Sequence, residues 1–127
     1  MRILGLDYGA KRIGIALSDE GGSFAFPHST IPNDVSAIDR IAAICKKEEV
    51  NEIAMGDTRA ANEHANLITE EAEVFAHKLH AHSGKEVRLV REAWSSSEAS
   101  RFAPKGAHDD AAAAAIILQR HLDSRRD

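Results

Sequence analysis

The chain has 127 residues, 43% of them hydrophobic, and a formal net charge of −4, which together favour one globular domain spanning residues 1–127. The negative charge argues against binding nucleic acid by bulk electrostatics, and no apolar run is long enough to cross a bilayer. Cys45 is the only cysteine, so we expect no internal disulfide, a cytoplasmic location and a small buried thiol.

The N-terminus predicts a β-hairpin with one acid at the end of its first strand. An apolar run over residues 3–6 precedes Asp7, residues 8–12 form a polar turn that includes Gly9, and residues 13–17 form a second apolar run. A carboxylate at the end of a buried strand needs a partner such as a cation, a metal ion or a group of N–H donors. Taken alone, Asp7 is equally compatible with an acid that simply caps the turn.

Strands and helices alternate after this hairpin. Residues 24–31 predict a third strand, in which Pro27 indicates an edge or a bulge. A helix is expected to start at Asn33-Asp34, because apolar residues recur at spacings of three and four from Val35 to Cys45. The other predicted elements are a strand at 52–56, a loop at 57–63, a long helix ending at Ser83-Gly84, a strand at 87–90, a short helix from Ser95 or Ser96 to Phe102, and a last helix opened by His108-Asp109-Asp110.

The long helix carries an apolar stripe and several histidines that fall mainly outside it. We interpret these histidines as solvated rather than as zinc ligands, because the chain has no HExxH motif. The stripe consists of Leu67, Ile68, Ala72, Phe75, Ala76 and Leu79, and the histidines are His64, His77, His80 and His82.

The order β-β-β-α-β-α-β-α-α predicts an α/β fold with a mixed five-stranded sheet, three antiparallel strands followed by two parallel ones, flanked by helices. Right-handed crossovers would bring Asp7 and Glu92 to one rim, where the last helix would add Asp109 or Asp110. Three acids there would bind one or two Mg2+ or Mn2+ ions and hydrolyse a phosphodiester. Each acid alone has an ordinary explanation, as a strand-end acid or a helix cap.

Three segments match, in order, motifs of one protein family. Residues 7–16 match D-x-G-x-K-R-I-G-x-A, residues 87–99 are similar to a strand and loop with a D-E-R triplet, and residues 109–122 are similar to a closing alanine-rich helix with I-L-Q-x-x-L. The chain therefore resembles the YqgF family, also called RuvX-like, of Holliday-junction resolvases and pre-16S rRNA nucleases. The resemblance covers nearly the whole chain.

This resemblance implies an RNase H-like fold and divalent-metal phosphodiester hydrolysis, with Asp7, Glu92 and Asp110 as catalytic residues and metal ligands. Registering on Ile117-Leu118-Gln119 places Asp110, rather than Asp109, at the family aspartate. It also implies 5′-end processing of pre-16S rRNA in ribosome biogenesis, with Mg2+ or Mn2+ as cofactor. The expected partner is nucleic acid and not a membrane, and the expected state is a monomer or weak homodimer.

We further predict which side chains contact the substrate. Lys11 and Arg12 lie in the hairpin turn beside Asp7, where at least one would hold the nucleic-acid backbone or balance the acids. A solvated turn pair is the alternative interpretation. The full set of predicted substrate contacts is Lys11, Arg12, Arg59, Ser95 and Ser96.

Two departures from the family pattern leave other hypotheses open. The D-E-R triplet is Arg91-Glu92-Ala93 here, and the middle motif, Gly56-Asp57-Thr58-Arg59, has no proline. A nucleic-acid-binding module with weakened catalysis, or a resolvase that acts on branched DNA, is therefore an alternative. An ATPase of the actin and sugar-kinase type is disfavoured because 127 residues leave no room for a second lobe. We interpret Asp57 as a turn residue rather than an additional acid.

Overall fold

The computed structural model describes residues 1–56, 65–90 and 110–125, apart from the side chains of residues 65–69. Within these segments the chain forms five strands and three helices. They are β1 (Ile3–Tyr8), β2 (Arg12–Ser18), β3 (Ala25–Pro32), α1 (Ala37–Lys47), β4 (Glu52–Gly56), α2 (Ala65–Ser83), β5 (Glu86–Val90) and α3 (Asp110–Ser124). The predicted short helix from Ser95 or Ser96 lies outside the described residues.

The five strands form one sheet in the order β3-β2-β1-β4-β5. Strand β2 pairs antiparallel with β1 and with β3, whereas β4 pairs parallel with β1 and with β5. This arrangement confirms the predicted mixed sheet. Because β1, β4 and β5 run in one direction, their carboxyl ends lie at the same rim, with Asp7 level with Gly56 and Gly56 level with Val90.

One face of the sheet carries large apolar side chains and packs against α1 and α2. Side chains alternate between the two faces of a strand, so every second residue of β1 and β2 enters this core. The core residues include Leu4, Leu6, Tyr8, Ile13, Ile15, Ile53 and Met55 from the strands, and Ile41, Cys45, Phe75 and Leu79 from the helices.

The opposite face carries small residues, and α3 lies unusually close to it. An ideal Cβ atom built on Gly5 would lie 2.7 Å from Leu118 Cβ, and one on Gly56 would lie 3.0 Å from Ile117 side-chain atoms. Gln119 fixes α3 to the start of β3, since its Oε1 accepts the N–H of Ala25 at 2.9 Å. Small strand residues and an alanine-rich helix therefore allow a close helix-sheet contact along the whole length of α3.

One strand boundary differs from the sequence prediction, and the structure also tests the interpretation of Pro27. Strand β1 continues through Asp7 to Tyr8, which the sequence placed in the turn; the Tyr8 ring is buried and lies 5.1 Å from the Phe75 ring. The interpretation of Pro27 is confirmed twice, because β3 is an edge strand and its pairing with β2 shifts register between Ile15 and Ala16.

The predicted start of α1 at Asn33-Asp34 is wrong, because the helix begins at Ala37. The Asp34 carboxylate accepts the N–H of Ser36 at 2.9 Å and its hydroxyl at 2.6 Å, which forms a turn before the helix. Val35, predicted to join the apolar face of α1, is consequently fully exposed.

Other sequence expectations for α1 and α2 are met where the side chains are described: Ala72, Phe75, Ala76 and Leu79 of the α2 stripe are buried, while the side chains of Leu67 and Ile68 lie outside the description. Cys45 is buried, and burial raises the pKa of its thiol from 9.0 to about 11. His77, His80 and His82 are exposed, as predicted, while His64 lies outside the described residues. None of the helices in the described segments has the length and apolar character needed to cross a membrane.

Candidate active site

Asp7 is a buried acid near the carboxyl end of β1, with 7% of its surface exposed. Its neighbours Leu6 and Tyr8 face the core formed with α1 and α2, so the alternation of a strand turns Asp7 toward the α3 side. The residues level with it on both adjacent strands are glycines, Gly14 on β2 and Gly56 on β4. On this face of the sheet both glycines are covered by α3, since an added Cβ would lie 1.8 Å from the Asp110 carbonyl oxygen at Gly14 and 3.0 Å from Ile117 at Gly56.

Asp110 is the first residue of α3, and it contacts β2 at Gly14. An ideal Cβ on Gly14 would lie 1.8 Å from the Asp110 carbonyl oxygen and 2.9 Å from the Ala111 nitrogen. No real Cβ atom approaches backbone so closely, so only glycine permits this contact. The amino-terminal end of α3 is therefore seated directly on the residue that opposes Asp7.

These two contacts bring Asp7 and Asp110 together. Residues paired across antiparallel strands have Cα atoms about 5 Å apart, which places the Asp7 Cα within roughly 9 Å of the Asp110 carbonyl oxygen. Both residues lie on the α3 face at the same rim. The structure thus brings together the first and last of the three acids that the sequence singled out.

Arg12 links the hairpin turn to the start of α3. Its Nε donates to Asp110 Oδ2 at 2.9 Å, and the two side chains are 44% and 26% exposed. The neighbouring Lys11 is also exposed in this turn. A half-exposed cation that holds a carboxylate in a fixed orientation remains accessible to a second anion such as a phosphate.

The third acid and several predicted substrate contacts lie outside the described residues. Strand β5 ends at Val90, which packs with the α3 face and lies level with Gly56, and Glu92 follows two residues later in the sequence. Within the described part of the chain, no three His, Cys, Asp or Glu side chains are grouped closely enough to hold a metal ion. Among the residues that the sequence singled out for this site, those that the structure does not describe are Glu92, Arg59, Asp57, Ser95, Ser96 and Asp109.

A second buried carboxylate, Glu52, lies at the opposite end of the sheet from Asp7. Its side chain is 8% exposed and is surrounded by basic side chains: Arg125 donates to Oε1, His121 Nε2 lies 3.3 Å from Oε1, and Arg88 Nε lies 3.7 Å from Oε2. Glu52 begins β4, four residues before Gly56, and is therefore about 13 Å from the rim where Asp7 lies. It anchors the carboxyl-terminal end of α3 and is not part of the candidate site.

The sequence interpretation missed Asn33. Its Nδ2 donates to the Gly9 carbonyl oxygen at 2.8 Å, and its backbone N–H donates to the Lys11 carbonyl oxygen at 2.9 Å. An Asn-Asp pair after a proline is typical of a helix start, and that pattern concealed the contact with a turn more than twenty residues earlier.

A family model described as "RuvX: Holliday junction resolvase" matches residues 1–124. The chain is 35% identical over 124 residues to a protein of Bordetella pertussis (strain Tohama I), covering 96% of this chain and 93% of that protein. It is 38% identical over 133 residues to a protein of Leifsonia xyli subsp. xyli, covering 97% and 86%. Both relatives carry the name "Putative pre-16S rRNA nuclease".

Among solved structures, the chain is similar to T. thermophilus RuvC in complex with a Holliday junction substrate. The TM-score is 0.57 at 16% identity, and the match covers 99% of this chain and 96% of the RuvC chain. At this level of identity the similarity concerns the fold, and it confirms the RNase H-like fold that the motifs implied.

Proposed function

The chain belongs to the RuvX family, and from this premise we propose that residues 1–127 form one divalent-metal-dependent nuclease domain that hydrolyses phosphodiester bonds. The observation that carries the proposal is the pair Asp7 and Asp110, which Gly14 brings to one rim of the sheet. The name of the curated relatives supports 5′-end processing of pre-16S rRNA as the reaction.

The donor set fits a hard divalent cation. Asp7 and Asp110 would hold the ion, and we propose Glu92 as the third ligand, since it follows β5 by two positions in the sequence and the carboxyl end of β5 lies at the same rim. All three offer carboxylate oxygens, which suit Mg2+ and Mn2+ better than Zn2+. When bound, such an ion would activate a water molecule and stabilise the charge that develops on the leaving oxygen.

Arg12 and Lys11 are proposed to hold the backbone of the nucleic acid. Within the described part of the chain, the Arg12 guanidinium bonds Asp110 through Nε, which leaves its two Nη groups for a phosphate. Lys11 is exposed one residue earlier and adds a second positive charge at the same rim. We also propose Arg59, Ser95 and Ser96 as substrate contacts.

Branched DNA is a second candidate substrate. The family description names Holliday junction resolvases, and the chain has the fold of a RuvC that was solved with such a junction. The replacement of the family triplet by Arg91-Glu92-Ala93 supports a further alternative, a nucleic-acid-binding module with weakened catalysis.

One assay separates these three possibilities. The purified chain is incubated with an RNA that carries the 5′ leader of 16S rRNA and with a four-way DNA junction, each with Mg2+, Mn2+, Zn2+ or EDTA. We expect cleavage of the RNA with Mg2+ or Mn2+ and none with Zn2+ or EDTA. Faster cleavage of the junction than of the RNA would favour a resolvase. Binding without cleavage would favour a nucleic-acid-binding module with weakened catalysis. Sedimentation in the same buffer tests the proposed monomer or weak homodimer.

Adjacent acids provide a test of the ligand assignment. Adjacent positions on a helix point about 100° apart, so we propose that Asp110 holds the metal ion while Asp109 caps the helix. Asp109→Asn should keep nearly full activity, because asparagine caps almost as well as aspartate. Asp110→Asn should abolish metal-dependent cleavage. Sensitivity at Asp109 alone would show that the assignment is off by one residue.

A further inference from the structure

We infer that Asn33 is a positioning residue that holds the β1–β2 turn, so that Lys11 and Arg12 meet the phosphates of the substrate in a fixed arrangement. This inference rests on the proposed function, because it assigns Asn33 to the same site. Asn33 itself would not touch the substrate, since its side-chain amide and its backbone N–H both bond the turn.

Two hydrogen bonds join Asn33 to opposite ends of the turn. The side-chain amide donates to the Gly9 carbonyl oxygen at 2.8 Å, and the backbone N–H donates to the Lys11 carbonyl oxygen at 2.9 Å. Asn33 follows directly after the last residue of β3, so the turn is fixed to the sheet and not only to its own strands. The half-buried amide makes this bond more valuable than one in open solvent.

The turn itself is compact, which makes it sensitive to this support. An ideal Cβ on Gly9 would lie 2.5 Å from the Arg12 carbonyl oxygen, so the two ends of the turn lie against each other. Beyond the turn, the Arg12 side chain bonds Asp110. Contacts therefore run without a break from Asn33 through the turn to the acid at the start of α3.

The chemistry of the contact requires a side-chain donor. A carbonyl oxygen accepts the amide N–H of asparagine, and neither alanine nor a carboxylate can supply that hydrogen. The competing role for Asn33, a contribution to the start of α1, is excluded by position, because the helix begins four residues later and Asp34 makes the intervening turn. The amide thus serves the β1–β2 turn.

The chain offers a matched control for this residue. Asn51 also makes one side-chain and one backbone bond, both to Arg2: its side-chain oxygen accepts the Arg2 N–H at 2.9 Å, whereas the Asn33 side chain donates, and its own N–H donates to the Arg2 carbonyl oxygen at 2.8 Å. Arg2 precedes β1, so this pair lies at the opposite end of the strand from Asp7. Asn33→Ala and Asn51→Ala therefore each remove one side-chain bond to backbone.

The experiment measures RNA cleavage, RNA affinity as a function of salt, and thermal unfolding for both variants. We expect both variants to lose thermal stability, Asn33→Ala more than Asn51→Ala, because the Asn33 side-chain bond is half-buried and the Asn51 bond is exposed. Only Asn33→Ala should lower kcat/KM, by about 5- to 10-fold and mainly through KM, because it loosens the groups that hold phosphates. It should also reduce the salt slope of binding by about one unit, as for one lost phosphate contact. In a Lys11→Ala/Arg12→Ala background, Asn33→Ala should cause little further loss.

Several outcomes would overturn the inference. The first is that the wild type is active and that Asn33→Ala and Asn51→Ala have the same cleavage rate and the same salt slope of RNA binding. Another is failure to fold by both Asn33→Ala and the similarly sized Asn33→Leu, which would show a structural role. A wild type that neither binds nor cleaves would overturn the proposed function, and this inference with it, so the two failures are distinguished by the wild-type measurement.

Discussion

Replacing Gly14 with alanine tests whether the start of α3 must lie against β2 for the protein to act. The backbone at Gly14 is an ordinary strand without positive φ, so the substitution adds one methyl group and no backbone strain. That methyl carbon would lie 1.8 Å from the Asp110 carbonyl oxygen. Restoring an ordinary contact of about 3.4 Å requires a displacement of about 1.6 Å.

The atoms that must move are the backbone of Asp110 itself, so the carboxylate moves with them. Misplacement of a catalytic group by about 1 Å can lower a rate by about 100-fold, whereas overpacking typically lowers stability by about 1–3 kcal/mol. We therefore expect Gly14→Ala to fold at moderate temperature, to unfold at a lower temperature than the wild type, and to lose about 100-fold in the rate of metal-dependent cleavage.

Single-turnover cleavage and thermal unfolding measure the two effects separately. Gly21→Ala is the matched control, because its added Cβ would lie no closer than 3.4 Å to Asp19 and 4.0 Å to Ser23. This variant should behave like the wild type in both measurements. A Gly14→Ala protein that cleaves within about twofold of the wild-type rate would refute the claim that Gly14 sets the position of Asp110.

Three further predictions concern stability. Burial raises the pKa of the Cys45 thiol from 9.0 to about 11, so the unfolded chain releases this proton at a lower pH than the folded chain does. The free energy of unfolding of the wild type, measured with urea, should therefore fall as the pH rises over that range. The free energy of unfolding of Cys45→Ala should not show this fall. Glu49 has a left-handed backbone (φ 55°) just after α1, so Glu49→Gly should raise the unfolding free energy by about 0.5–1 kcal/mol, and an unchanged melting temperature would contradict this. Glu52→Gln should lower the unfolding free energy by about 1–3 kcal/mol, since it weakens the contacts with Arg125 and His121; an unaltered denaturation midpoint would show that these contacts are not stabilising.

The sheet could be predicted from the sequence because each strand is marked by residues within or next to it. Apolar runs and glycine-containing turns mark each strand, and an acid within a buried run marked Asp7 as a residue with a special role. The choice of Asp110 over Asp109 came instead from the family resemblance, registered on Ile117-Leu118-Gln119, and the structure places Asp110 against the strand that opposes Asp7.

The contacts between distant parts of the chain could not be predicted in the same way. The sequence predicted that Lys11 or Arg12 could balance the acids but did not identify the pair, which Arg12 forms with Asp110 across 98 positions; Asn33 bonds Gly9 across 24. The predicted start of α1 is wrong because the Asp34 side chain bonds Ser36, and this turn replaces the first helical hydrogen bonds. The spacing of apolar residues does not reveal such a side-chain bond. The cations around Glu52 come from β5 and from the α3 end of the chain, so the sequence near β4 gives no sign of them.

The central claim is that carboxylates at one rim of the sheet perform metal-dependent phosphodiester hydrolysis. The most direct test compares two buried acids on the same face of the sheet, Asp7 at that rim and Glu52 at the opposite end. The measurement is the rate of Mg2+-dependent cleavage of the 16S leader RNA by Asp7→Asn and by Glu52→Gln, at a temperature at which both variants are folded. We expect Asp7→Asn to abolish cleavage, because a neutral amide is a poor ligand for a hard cation, and Glu52→Gln to keep most of it. Cleavage by Asp7→Asn at the wild-type rate would contradict the claim.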